Sequence, residues 1–157
     1  MKSVKKYLFL MAVVAALFGF VACSSDDDGA SEVAVYTQAS ESWTLTFYDD
    51  KTFKNVQTIA GKDYTVATGT YKGDVRKDTD DGNKVTATVK KYAYVKAGDT
   101  KPTLVSIKDY AEYASKTFSY MTKEEIIEYY TDMPVTIKGD RLTVKEFGTF
   151  TKYNKDK

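Results

Sequence analysis

The feature that most constrains this chain is strict alternation of apolar and polar residues in short runs. Trp43, Leu45 and Phe47 alternate with Thr44, Thr46 and Tyr48. Val85, Ala87 and Val89 alternate with Lys84, Thr86, Thr88 and Lys90. A period of two puts each apolar set on one face of an extended strand and leaves the other face wet. Residue usage agrees. From residue 23 onward there are eleven Val and five Ile against three Leu, with twenty Thr and twelve Tyr. β-branched and aromatic side chains fit a pleated, half-buried surface, whereas helical domains use more Leu and Ala. The chain is therefore expected to be all-β.

The punctuation between runs sets the strand order. Asp49-Asp50-Lys51 interrupts the first run and Thr52 to Val56 resumes it, which reads as a hairpin. A third strand spans 64–71, with Gly69 inside it as a bulge or a close backbone approach. Asp80-Asp81-Gly82-Asn83 is a turn, the strand from 84 to 90 extends through Tyr92 and Tyr94, and 104–107 is a short strand after the turn at 97–102. Gly139-Asp140 forms a two-residue loop between strands at 135–138 and 141–145, and 147–153 is the last strand. One short helix is expected near 123–131. Thr122 and Glu125 have capping-box spacing, Ile126, Ile127 and Tyr130 share a face, and Pro134 ends it. Residues 109–115 are a second, shorter helix candidate. About seven to nine strands in meander order suit a barrel or a sandwich, which protect sheet edges.

The first 22 residues differ from the rest. Lys2, Lys5 and Lys6 precede sixteen uncharged residues, 7–22. In a helix that run spans roughly 24 Å, short of a hydrocarbon core of about 30 Å. A basic start, a short apolar stretch and a small residue before a polar break make an export signal; a short anchor that stays attached is the alternative. The run ends at Cys23, the only cysteine. Phe20-Val21-Ala22-Cys23 resembles the lipobox of bacterial lipoproteins. Ala22 and Cys23 fit it, while Phe20 and Val21 stand where Leu and a small residue are usual. The resemblance implies cleavage between Ala22 and Cys23 and diacylation of the Cys23 thiol, and two or three acyl chains supply the multiple anchors that stable attachment needs. Residues 24–31 read as a solvated tether. Within them, Ser25-Asp26-Asp27-Asp28 resembles the acidic surface-export signal of some diderm bacteria, and Ser24 the residue that permits transfer to the outer membrane. The implied location is the outer membrane, at the cell surface or on the periplasmic face. The expected organisation is a signal peptide at 1–22, lipidated Cys23 with a flexible acidic tether to 41, a barrel domain at 42–153 and a charged tail at 154–157.

Several function classes lack their residues. There is no His, which removes the commonest general base and the commonest zinc ligand. Residues 23–157 carry 20 basic and 22 acidic side chains, with no basic stripe for nucleic acid. Asp78-Thr79-Asp80-Asp81-Gly82-Asn83 fails the calcium-loop register, because Gly82 falls fifth and Val89 twelfth. Nucleophile-elbow, phosphate-loop and dinucleotide motifs are missing. Asp49 and Asp50 lie at a turn tip, and Glu124 and Glu125 point apart on a helix, so neither pair suits joint acid–base work. No catalytic residue, metal site or cofactor is expected. The segment holding Tyr110, Tyr113, Tyr120, Tyr129 and Tyr130 serves either packing or binding, and any site should lie where it meets the barrel mouth.

Residues 43–53, Trp-Thr-Leu-Thr-Phe-Tyr-Asp-Asp-Lys-Thr-Phe, are similar to the opening of lipocalin-like domains in small bacterial lipoproteins. Those often read Gly-x-Trp, alternating residues, then Asp-Gly-Thr-Phe. Gly69-Thr70-Tyr71 resembles their later Gly-x-Tyr strand and Arg141-Leu142-Thr143-Val144 their closing strand, so the likeness covers most of 42–152. Glu41-Ser42 stands where Gly is usual before the Trp, and Asp50-Lys51 replaces Asp-Gly. The resemblance implies an antiparallel barrel that sometimes holds an apolar ligand; Trp43 reads as a barrel-bottom core residue, with a ligand contact as the alternative. The functional expectation is a lipid-anchored, non-enzymatic binding module for a small apolar ligand or a macromolecular partner. The alternative is a structural envelope lipoprotein with a filled barrel. Interior volume separates them, since ligand barrels keep a few hundred Å³ open.

Overall fold

In the computed structural model the alternating runs become nine strands. The structure describes residues 29–77, 79, 81–118, 120–144 and 147–153. The strands are β1 (Glu32–Gln38), β2 (Trp43–Tyr48), β3 (Thr52–Ile59), β4 (Lys62–Lys72), β5 (Asn83–Tyr94), β6 (Thr103–Ser106), β7 (Met133–Lys138), β8 (Arg141–Val144) and β9 (Gly148–Lys152). Two helices, α1 (Ile107–Phe118) and α2 (Lys123–Tyr129), lie between β6 and β7. Neighbours pair in the order β4-β3-β2-β1-β9-β8-β7-β5, and β5 pairs back to β4. Eight antiparallel strands therefore close into a ring with no free edge, an all-β lipocalin-like barrel with minor helix. The ninth strand, β6, lies outside the ring. It pairs with Lys91–Tyr94 of β5, while Asn83–Ala87 of the same edge pair with β7.

Two expectations need correction. The tether was expected to be flexible to residue 41, yet 32–38 form β1, which bridges β2 and β9. Ala34 and Tyr36 are its buried side chains, and a register shift near Val33 obscures its alternation. Without β1 the ring would stay open. The second correction concerns helix. α1 is a twelve-residue element that begins at Ile107, not a short piece at 109–115 or part of a strand. Ser106 starts it: the Asp109 N–H donates to Ser106 Oγ at 3.2 Å, and Ser106 Oγ donates to Asp109 Oδ2 at 2.6 Å. α2 has the expected capping box, with Glu125 N–H on Thr122 Oγ1 at 3.2 Å and Thr122 N–H on Glu125 Oε2 at 2.8 Å.

The expected alternation and two of the glycine positions agree with the structure. Trp43, Leu45 and Phe47 are all buried, as are Val85, Ala87 and Val89. Gly69 is a close approach beside a register shift: a Cβ there would meet the Thr88 carbonyl oxygen at 2.1 Å. The loop Gly139-Asp140 joins paired Lys138 and Arg141, and Gly139 takes the left-handed φ of 59°.

The pairing register gives the barrel two distinct ends. The 49–51 and 139–140 turns, Ser31 and Tyr153 lie at one end. There the incoming chain is clipped to the first turn, with Asp49 N–H on Ser31 O and Ser31 N–H on Asp49 Oδ1, each at 3.0 Å. The Ala60-Gly61 turn, the β8–β9 turn and both helices lie at the opposite end.

Candidate functional site

Among the described residues, the barrel interior holds a cavity of about 50 Å³. Inward positions of successive strands build its wall: Leu45 and Phe47 from β2, Phe53 and Asn55 from β3, Ala87 and Val89 from β5, Val135 from β7. Tyr92 and Tyr130 close it toward the helices. Met133 and Phe147 also line it, and they are the two lining residues that are half-buried, not buried. The way out of the cavity thus runs past the start of β7 and the β8–β9 turn.

Asn55 is the exception in this wall. It is buried at 8 % exposure, and its Oδ1 has no hydrogen-bond partner among the described residues. Leaving a buried acceptor unsatisfied costs about 1–3 kcal/mol. Gln57, two residues on and at the same inward phase, donates Nε2 to the Glu41 carbonyl at 3.3 Å, while its Oε1 has no partner among the described residues. β3 therefore turns two amides inward.

The helix end of the cavity is a tyrosine cluster. Tyr92 lies 4.6 Å from Tyr110 and 5.1 Å from Tyr130 between ring centroids, and Tyr110 and Tyr130 are edge-to-face at 5.9 Å. Val89 N–H donates to the Tyr130 carbonyl at 2.9 Å, which ties the end of α2 to β5. Burial raises all three hydroxyls: Tyr110 to about 12, Tyr92 and Tyr130 well above the ordinary 10.0. They stay protonated at neutral pH and offer hydrogen bonds, not a base. Of the five tyrosines singled out between 110 and 130, Tyr130 lines the cavity. Tyr110 packs behind it, and Tyr120 is exposed.

Other singled-out residues serve locally. Asp50 accepts from Thr52 N–H at 2.9 Å and Thr52 Oγ1 at 2.7 Å, bonds that lower its pKa and hold the β2–β3 turn. Glu125 is a helix cap, and Glu124 is exposed. In the segment compared with a calcium loop, Gly82 N–H closes a turn on Thr79 O at 2.8 Å, while Asp78 and Asp80 lie outside the described residues. Among the described residues no group of three or more His, Cys, Asp or Glu could hold a metal ion. No helix among them is long and apolar enough to cross a membrane. The segment read as an export signal (1–22), with Ala22, and Cys23, the acidic stretch at 26–28 and the tail at 154–157 also lie outside the described residues.

The sequence reading named no ligand-binding residue. Asn55 carried a signal, an amide at the core phase of an alternating strand; Met133 and Phe147 carried none, because only barrel closure brings them together. Comparison with known proteins finds no matching family model, no similar curated protein and no similar solved structure, so the lipocalin-like architecture rests on strand order and closure alone.

Proposed function

We propose that this chain is a lipid-anchored protein of the cell envelope, not an enzyme, that binds a small and largely apolar molecule inside its barrel. One observation carries the binding reading: an apolar cavity whose wall holds the buried Asn55 Oδ1, which has no hydrogen-bond partner among the described residues. A barrel meant only to be solid has no use for that polar group, which hydrocarbon of the same size would replace with a gain in stability.

Support for the anchor comes from residues 7–23, an uncharged run too short to span a bilayer that ends at the single cysteine. Attachment at Cys23 gives the barrel a direction. Residues 29–31 lead into the end with the 49–51 turn, so an anchored barrel presents its helix end, with Met133 and Phe147, away from the membrane. A ligand would then arrive from the aqueous side at the cell surface or in the periplasm. The membrane is a partner only through the lipid, and nucleic acid is not a partner.

A structural envelope role is the second reading. It is favoured by the cavity volume of about 50 Å³, well below the roughly 300–1,000 Å³ of ordinary ligand pockets.

Two measurements test the proposal. Cells expressing the full chain and its Cys23→Ala variant are labelled with a traceable fatty acid; label on the parent and none on the variant is expected, and equal label on both sinks the anchor. Trp43 fluorescence is then titrated with small aromatic molecules. A saturable change supports binding, and no saturable change with any of them leaves the structural role.

A further inference from the structure

We propose that Asn55 is the polar anchor of the cavity and selects small apolar molecules that carry one hydroxyl group. This rests on the ligand-barrel reading above. Asn55 is more than nine-tenths buried, its Oδ1 lacks a partner among the described residues, and its side chain lines the cavity.

The rest of the wall narrows the ligand class. Among the described residues no charged side chain lines the cavity. An ammonium or carboxylate would lose its hydration there and find no counter-charge. A pure hydrocarbon would fit the walls but leave the Asn55 acceptor unsatisfied. A hydroxyl group can donate to the amide oxygen and accept from the amide nitrogen. It therefore answers the amide in either orientation. The aromatic rings of Phe47 and Phe53, which meet at 6.2 Å, and the branched chains of Leu45 and Val89 suit a flat or compact apolar body. A volume of about 50 Å³ is below the roughly 150 Å³ that holds a benzene ring, so the body must be small and a single ring enters only as the wall yields. Met133 stands at the half-buried side of the cavity, and a thioether chain with three rotatable bonds yields more readily than a branched one.

Phenol and benzene form the discriminating pair, alike in ring and different by one hydroxyl. The full chain in lipid nanodiscs is titrated with each, against empty nanodiscs as blank. We expect phenol to bind at least about tenfold more tightly than benzene, and Asn55→Leu to reverse that order, because a site built to hydrogen-bond a hydroxyl rejects the analogue without it. Phenol should also shift the side-chain amide resonances of Asn55 as a hydrogen bond does, beyond the ring-current shift that benzene produces. That readout needs no variant, so it stands if Asn55→Leu fails to fold. Saturable binding of both probes with equal affinity, or an Asn55 amide that phenol shifts no further than benzene does, overturns the role of Asn55 and leaves the binding barrel intact. Binding of neither probe overturns both.

Discussion

The indole of Trp43 lies over the ring of Phe150, their centroids 6.3 Å apart and their planes 20° from parallel. The strands that carry them, β2 and β9, are not neighbours, since β1 separates them. The contact therefore crosses the inside of the barrel and joins the early hairpin to the last strand. Trp43 is 3 % exposed. Its emission should be blue-shifted and resist acrylamide. Trp43→Ala should lower stability by about 3–5 kcal/mol, the usual loss for a large buried aromatic. Red, freely quenched emission would mean that the indole sits in water and that the β2 register is wrong. Phe150 also lines the cavity, which makes the single tryptophan a reporter of its occupancy.

Gly69 sits where β4 packs tightly against β5 beside a register shift. A Cβ there would meet the Thr88 carbonyl oxygen at 2.1 Å and Phe53 Cε1 at 2.7 Å. The first obstacle is backbone and cannot swing away. Gly69→Ala should then cost about 3 kcal/mol or more, at the upper end of overpacking effects. Urea denaturation reads this directly. An unchanged midpoint would show that the two strands stand further apart than their pairing implies.

The turns carry a different kind of strain. Lys51 and Ala60 take φ of 68° and 50°, in the left-handed region that favours glycine. Lys51 stands where the lipocalin-like pattern has the Gly of Asp-Gly, and Ser42, just before Trp43, is likewise left-handed at 53°. The departure at Lys51 therefore falls on backbone that would suit glycine. Ala60 gives the clean test, because it shares a two-residue loop with Gly61, whose φ is also positive at 76°. Ala60→Gly should raise stability by about 0.5–1 kcal/mol, as relief of the Cβ clash outweighs the added freedom of the unfolded chain. A lower midpoint in the variant would count against a type I′ turn here.

The strands that were legible from the sequence share one property. Each has a wet face, so Val85-Ala87-Val89 and Val135-Ile137 alternate cleanly with Thr and Lys. β1 was hidden because Val33 falls at a register shift and the strand follows an acidic stretch. α1 was shortened because its cap pairs Ser106 with Asp109, a shorter acid than the usual Glu of a capping box. The site was harder for a physical reason. Tyr92 and Tyr130 are 38 residues apart and meet through closure and the Val89–Tyr130 bond, neither of which has a local signature. Asn55 looked like a strand residue in a hairpin, and only the closed ring makes its amide costly.

The tyrosine cluster predicts how stability should respond to alkali. Burial raises Tyr110 from 10.0 to about 12 and pushes Tyr92 and Tyr130 well above 10.0. The unfolded chain ionises these phenols near pH 10, while the folded chain keeps their protons. Between those values the unfolded state binds fewer protons, so unfolding becomes easier as pH rises. The contribution is intact below about pH 10 and, for Tyr110, is lost progressively up to about pH 12. Each such tyrosine adds a limiting slope of about 1.4 kcal/mol per pH unit. Chemical denaturation at steps between pH 9 and 11.5 should show stability falling steeply once pH passes 10. Tyr110→Phe keeps the ring against Tyr92 and removes the ionising group, so its decline should be shallower than that of the parent chain. Parallel declines in the two proteins would mean that the Tyr110 hydroxyl already meets water in the folded state and that α1 does not seal the helix end of the barrel.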